Sequence, residues 1–272
     1  MPELPEVETL RQALLPLIRN KVFLEISLFR KNLRFPIPER KLRQELLNVS
    51  LENITRRGKY LLLEVPTGAM LWHLGMSGRV TQRPSAEPME KHTHAVFRFK
   101  PDIYLHFIDP RRFGCILWVK RDSKHPLLKH LGLEPLEAET TAEALHKIAR
   151  NRKVPVKSFV MDSRRIVGVG NIYACESLFG AGIHPNRPAG KLSLGDWARL
   201  LATLRKTLGK SIASGGTTLR DFYNSDGTAG YFSLSLSVYG REQDPCLKCG
   251  TPIVRIIQSG RSSFYCKTCQ RK

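Results

Sequence analysis

Several things are scarce or missing in this sequence, and each narrows the field. No apolar run comes near the roughly 18 residues that a bilayer-spanning helix requires. The opening MPELPEVETL carries acids where a secretory leader would carry a basic stretch and then an apolar one. The expectation is therefore a cytoplasmic protein with no membrane partner. Cysteine is rare and uneven: of six, Cys115 and Cys175 stand alone and the other four lie between Cys246 and Cys269, which is not the layout of a disulfide scaffold. Acids are in short supply, 24 Asp and Glu against 44 Lys and Arg, for a formal net charge of +20. That surplus favours a polyanionic partner, because each phosphate contact releases condensed counterions. An acidic membrane surface ranks second, since no long basic amphipathic helix is found. Internal repeats and low-complexity tracts are absent, and a hydrophobic fraction of 42% is too high for a disordered chain. A length of 272 residues predicts two or three domains.

What is present sorts into zones. Residues 4–18, LPEVETLRQALLPLI, read as a helix, with Pro5 suited to its first position, Glu6 and Glu8 at the positive end of the dipole, and Val7, Leu10, Leu14 and Leu17 along one face. Short β-forming runs follow at 22–29, 60–65, 70–74, 95–99, 103–107 and 115–119, separated by turn residues, which predicts a β-sandwich or barrel. From about 134 to 213 the pattern turns helical. One helix starts at Ser193 with Asp196 as its capping-box partner and Leu200, Leu204, Leu208 and Ile212 as its buried stripe. The stretch 214–232, SGGTTLRDFYNSDGTAGYF, reads as a long loop. The fold class is α+β and multidomain.

Six motifs carry chemistry. Cys246-x2-Cys249-x16-Cys266-x2-Cys269 has the spacing of two knuckles around a tetrahedral zinc. Four thiolates close the shell to water, so the ion is structural; unliganded thiols or two disulfides would be the alternative. The intervening segment predicts two strands with a turn at Gly260, and Arg261 just past the tip is, on composition alone, a solvated turn residue. HLGMSG (73–78) sets Met76 between glycines, either folded into the core or exposed as a wedge for a base stack. DPRRFG (109–114) puts arginines beside Phe113 on a turn, a combination suited to nucleic acid, although a core phenylalanine with solvated arginines fits equally well. VGVGNIYACESLF (167–179) is a glycine turn before a helix, where backbone amides bind phosphate and Asn171 either caps or contacts it. RRGKYLLLEV (56–65) carries Lys59 into a strand, ordinarily a surface lysine. Finally, trimming of Met1 would expose the secondary amine of Pro2. An α-amino group titrates at roughly 7.7–8.0 and is then a neutral nucleophile for Schiff-base chemistry, with Glu3 or Glu6 to move protons, although most N-terminal prolines do nothing.

Taken together, PELPEVET, RRGKYLLLE, HLGMSG, KHTH, DPRRFG, HLGLEPL, VGVGNIYA, GGTT, VYGR and the cysteine finger run in the order, and over nearly the whole length, of a known family. The chain resembles the formamidopyrimidine-DNA glycosylase family of bacterial base-excision repair enzymes. The resemblance implies an N-terminal β-sandwich with its N-terminal helix (1–133), a helix–two-turn–helix domain (134–237) with a lesion-binding loop at 214–232, and a C-terminal β-hairpin zinc finger (238–272). It implies one structural Zn2+ on Cys246, Cys249, Cys266 and Cys269, and a monomer acting on double-stranded DNA that contains oxidised purines or abasic sites. Pro2 would attack C1′ of the damaged nucleotide, Glu3 would shuttle protons, Lys59 would assist near the lesion phosphate, and Arg261 would grip the flanking phosphates and serve δ-elimination. Met76, Arg111 and Phe113 would fill the hole left by the extruded base, while His73, His92, Arg152, Lys157 and Asn171 would contact DNA.

Three other readings remain at this stage. An endonuclease VIII-like enzyme for oxidised pyrimidines would share Pro2, Glu3, Lys59 and the finger, although the DPRRFG turn and the 214–232 segment favour the purine branch. A DNA-binding protein with dead chemistry is opposed by the intact Pro2, Glu3 and Lys59. A zinc-ribbon RNA-binding protein would explain charge and zinc but not the N-terminal motif.

Overall fold

The computed structural model describes residues 2–86, 89–123, 125–215 and 236–271; the expected loop at 214–232 lies, from residue 216 onward, outside the described residues. The chain forms two compact units, one made of the described parts of Met1–Lys129 and Gly215–Phe232 and the other of His130–Ser214 and the described part of Ser233–Lys272.

The first unit opens with α1 (Leu4–Ile18), the span expected from periodicity. Glu3 is its N-cap and Pro5 occupies the second helical position rather than the first. The Glu3 backbone N–H donates to Glu6 Oε2 at 2.8 Å, so the acid at the third position satisfies an amide that the helix cannot. The buried stripe is Val7, Leu10, Leu14 and Ile18; Leu17, expected on it, is only half-buried.

Next come β1 (Phe23–Leu28), α2 (Glu39–Leu46), β2 (Asn53–Arg57), β3 (Tyr60–Val65), β4 (Gly68–His73), β5 (Arg79–Arg83), β6 (Thr93–Phe99), β7 (Ile103–Ile108) and β8 (Cys115–Lys120), with the short α3 (Pro126–Lys129) closing the unit. They pair antiparallel into two four-stranded sheets, β1-β6-β7-β5 and β2-β3-β4-β8. Apolar side chains of both sheets share one core, with Trp72 of β4 lying 5.3 Å from Phe97 and 6.0 Å from Phe107 by ring centroids. This is the expected sandwich. Two strands that sequence reading passed over, β2 (NITRR) and β5 (RVTQR), both lie at sheet edges. Edge strands need little apolar character, which is why their pattern is weak.

The second unit holds α4 (Ala142–Ala149), α5 (Val156–Met161), α6 (Asn171–Ala181), a 3-10 turn at Ala189–Lys191, α7 (Leu194–Ala213) and the hairpin β9 (Val254–Gln258) and β10 (Arg261–Tyr265). Its first residues already belong to it: Gly132 N–H donates to Ser163 O and Leu133 N–H to Arg165 O. The capping box of α7 forms as expected, Ser193 Oγ accepting from Asp196 N–H and the Asp196 carboxylate accepting from Ser193 N–H. Leu200, Leu204 and Leu208 are buried, but Ile212 is only half-buried; Ser211 takes the inward position and bonds Tyr173 Oη at 2.6 Å.

The hairpin is not a separate body. Cys175 and Phe179 of α6 share a core with Val238, Cys246, Ile253, Phe264 and Cys266. Glu176, between them, accepts from the backbone N–H groups of Ser237, Val238 and Tyr239, each at 2.9 Å. One buried carboxylate thus holds the chain where it enters the finger. Glu176→Ala would leave three amide donors without their acceptor, and we expect the second unit to lose about 3 kcal/mol or more, measured as a fall in the urea midpoint; an unchanged midpoint would contradict this anchoring role.

Candidate functional site

Pro2 is half-buried, one residue before the N-cap of α1, and Glu3 beside it is 3% exposed. The helix dipole favours a carboxylate at that place. One turn further, Glu8 accepts from Arg11 Nη2 at 2.7 Å and from Arg56 Nε at 2.9 Å, and Arg56 Nη1 donates to Gly58 O at 3.0 Å. Burial pushes the Glu8 pKa up, but the hydrogen bonds and charges of Arg11 and Arg56 outweigh it and hold the carboxyl below its ordinary range. Gly58 and Lys59 form the two-residue turn between β2 and β3, whose flanking residues Arg57 and Tyr60 pair directly. Lys59 is therefore on the turn rather than in the strand. Gly58 at φ 58 supplies the positive dihedral that the first position of a II′ hairpin demands. The first turns of α1 and the turn carrying Lys59 are thus tied together through Glu8 and Arg56.

His73 ends β4 opposite Tyr60, with the two rings 4.8 Å apart. Its Nδ1 accepts from Gly75 N–H at 3.0 Å, which leaves the proton of the neutral ring on Nε2. Burial, then the charges of Lys59 and Arg34, pushes its pKa down to about 4, against the opposing charge of Asp109. At neutral pH His73 is an uncharged donor beside Lys59. Met76 is 41% exposed and Phe113 46%, so neither is a core residue, and the Arg111 guanidinium lies 4.9 Å from the Phe113 ring centroid. His92 is exposed and held at φ 70.

In the second unit, Arg261 is exposed and opens β10 directly after a two-residue turn, Ser259 (φ 48) and Gly260 (φ 73), the dihedral signs of a I′ hairpin. Two residues expected on DNA have partners within the protein. Lys157 is 1% exposed, and its Nζ donates to Ser262 O at 3.0 Å and Ser263 Oγ at 2.5 Å. A buried ammonium needs such acceptors, and Lys157 is a strut under the strand that presents Arg261, not a surface contact. Asn171 does not cap α6, whose N-cap is Gly170; its Nδ2 donates to the same Ser262 carbonyl at 2.8 Å. Arg152 is exposed, and its carbonyl accepts from Gly190 N–H at 2.9 Å, where an added Cβ on the glycine would stand 2.8 Å from Arg152 N.

The four finger sulfurs lie within 4.8 Å of one another. Cys246–Cys269 is 3.9 Å, and Cys249–Cys266 and Cys249–Cys269 are both 3.5 Å. Sulfurs on a tetrahedral zinc at ~2.3 Å would be ~3.8 Å apart. The donor set fits one closed structural Zn2+.

Comparison with known proteins agrees. Family profiles match in chain order: Formamidopyrimidine-DNA glycosylase N-terminal domain at residues 1–116, Formamidopyrimidine-DNA glycosylase H2TH domain at 131–223, and Zinc finger found in FPG and IleRS at 243–271. The chain is 49% identical over 271 residues to the formamidopyrimidine-DNA glycosylase of Acidithiobacillus ferrooxidans and 45% identical over 271 residues to that of Escherichia coli, with 100% of both chains covered in each case. The chain belongs to the formamidopyrimidine-DNA glycosylase family. Among solved structures, wild-type Lactococcus lactis Fpg in complex with N7-benzyl-Fapy-dG DNA matches with a TM-score of 0.89 and 30% identity over 100% of both chains. The MutM (Fpg) protein of Thermus thermophilus matches with a TM-score of 0.86 and 37% identity, over 99% of this chain and 98% of that one.

Within this family member, sequence reading missed Arg56, Asp109 and Glu176 as organising residues. All three sat inside quoted motifs, but what they hold is distant in the chain. Two outcomes are expected of the site. Long-range 15N NMR should find His73 in its Nε2–H form at pH 7, titrating only near pH 4. The folded chain binds this proton near pH 4 while the unfolded chain binds it near the ordinary 6.5, so the stability held by the neutral ring is present above that value and is lost as pH falls through the window; a midpoint near 6.5 would refute the assignment. Chelation of zinc should unfold the hairpin and loosen the α6 end that shares its core, while the sandwich keeps its near-UV spectrum from Trp72. Retention of the α6 resonances after metal removal would contradict the shared core.

Proposed function

We propose that the chain is a bifunctional glycosylase and abasic-site lyase that removes oxidised purines, 8-oxoguanine and formamidopyrimidines, from duplex DNA. The observation that carries this reading is Pro2 set beside the buried Glu3 at the cap of α1, with the Lys59 turn tied to the same helix through Glu8 and Arg56. The Pro2 nitrogen attacks C1′ of the damaged nucleotide. The bond from C1′ to the base breaks, the base leaves with a proton, and an iminium joins Pro2 to the opened sugar. Glu3 moves the protons of these steps and Lys59 assists near the lesion phosphate. Loss of a C2′ proton expels the 3′ phosphate, and a second elimination expels the 5′ phosphate, leaving a one-nucleotide gap. Arg261 holds the phosphates flanking the extruded nucleotide and serves that second elimination.

The target nucleotide has to leave the stack for C1′ to be reached, at a cost of a few kcal/mol. Met76, Arg111 and Phe113 offset it by filling the vacated space, with Arg111 facing the orphaned base. His73, His92, Arg152 and Asn171 add contacts to the backbone. The division of labour follows residues 1–133, 134–237 and 238–272. The chain acts as a monomer in the cytoplasm, on nucleoid DNA.

Borohydride trapping tests the reading. Incubation of the untagged protein with an 8-oxoguanine:cytosine duplex, reduction and mass spectrometry should locate a covalent adduct on Pro2, and Pro2→Gly should lose it together with strand cleavage. An adduct only on an oxidised-pyrimidine duplex would move the chain to an endonuclease VIII-like specificity. Tight binding with no adduct on either duplex would overturn the chemistry.

A further inference from the structure

Asp109 is 0% exposed and lies in the loop between β7 and β8. Its backbone N–H donates to His92 O at 3.1 Å. Its carbonyl accepts from His94 Nε2 at 2.8 Å and from Arg112 N–H at 3.2 Å. Oδ1 accepts from Ser77 Oγ at 2.8 Å and from Arg111 N–H at 3.3 Å, and Oδ2 accepts from Gly114 N–H at 2.8 Å. Ser77 Oγ in turn accepts from Arg111 N–H at 3.2 Å. One side chain therefore joins the Met76 loop to the turn of Arg111 and Phe113, and its backbone adds the segment of His92.

The two glycines of these loops make the joint tight. Gly75, at φ +64, has no room for a Cβ, which would stand 2.4 Å from the Phe113 carbonyl carbon; a Cβ on Gly114 would stand 2.7 Å from His73 O and 3.1 Å from Asp109 Oδ2. Loops packed backbone to backbone and pinned to one buried carboxylate cannot reorder independently. Three side chains on separate flexible loops would each lose conformational freedom on entering DNA. Side chains on one preset block have already met that loss in folding.

We propose that Asp109 is a positioning residue that makes Met76, Arg111 and Phe113 a single rigid wedge, entering the duplex in one step and setting discrimination by the opposite base. This rests on the reading that these three side chains occupy the space of the extruded nucleotide.

The test uses the full chain with Ser77→Ala, Asp109→Asn, Met76→Ala and Arg111→Ala. Three readouts are taken: excision opposite cytosine and opposite adenine, stopped-flow fluorescence of a 2-aminopurine near the orphaned position, and cleavage of an abasic site in single-stranded DNA, where no base is orphaned. Ser77→Ala and Asp109→Asn should lower the cytosine-over-adenine preference by about tenfold, the scale of a lost hydrogen bond to a charged group. They should also split a single fluorescence phase into two. Single-stranded cleavage should stay within about twofold, as for a change that leaves the fold intact. Ser77→Ala removes only a hydroxyl, so it keeps the test valid where Asp109→Asn misfolds. Unchanged preference and one phase in folded Ser77→Ala, with effects from Met76→Ala and Arg111→Ala, would overturn the positioning role alone. No effect from Met76→Ala or Arg111→Ala would overturn the wedge reading and this proposal with it.

Discussion

The pairing of Glu8 with Arg56 is the contact on which the N-terminal unit depends. The two side chains are nearly closed off from solvent, 12% and 7% exposed. A pair in that position is weak evidence of stability in itself. What it secures is geometry. Helix α1 is anchored on the sheet by Val7, Leu10, Leu14 and Ile18, and the hydrogen bond from Arg56 to Gly58 carries that anchoring to the lysine turn. A terminal segment would ordinarily fray; here its cap, its apolar stripe and its ion pair all act to hold the segment that begins at Pro2.

The second unit solves a related problem with one carbonyl. Ser262 O receives Lys157 Nζ and Asn171 Nδ2, one from α5 and one from the start of α6. Its neighbour in the chain is Arg261, so two buried or half-buried polar side chains brace the strand that carries this exposed arginine. Glu176 and the shared apolar core complete the brace from behind. Precision at an exposed side chain is obtained by rigidity in what lies beneath it.

Local pattern made much of this legible. The bounds of α1 and β3 follow directly from periodicity and turn residues, and the cysteine spacing alone points to the metal. What local pattern missed has two causes. β2 and β5 are polar edges, and α2 is a helix of eight residues behind a proline N-cap, too brief for a clear stripe. The organising polar residues were hidden for a different reason: Asp109 finds Ser77 32 positions away and Lys157 finds Ser262 105 positions away. Asp-Pro announced a turn, but no spacing rule announces what a buried carboxylate will gather. Lys157 shows the converse: the family resemblance set it against DNA, and its ammonium is buried on Ser262 O and Ser263 Oγ.

The surplus of +20 is not all available to a polyanion. Lys157 is sealed inside, Arg56 answers Glu8, and Arg187 answers Asp196. These cations appear in the tally of 44 but are buried or paired with carboxylates. His73 works the other way, offering a donor that carries no charge at all. The number of ions shed when this protein settles on a duplex is therefore smaller than its amino-acid totals imply. Composition counts every cation; the salt dependence of binding counts only those that a phosphate displaces from water.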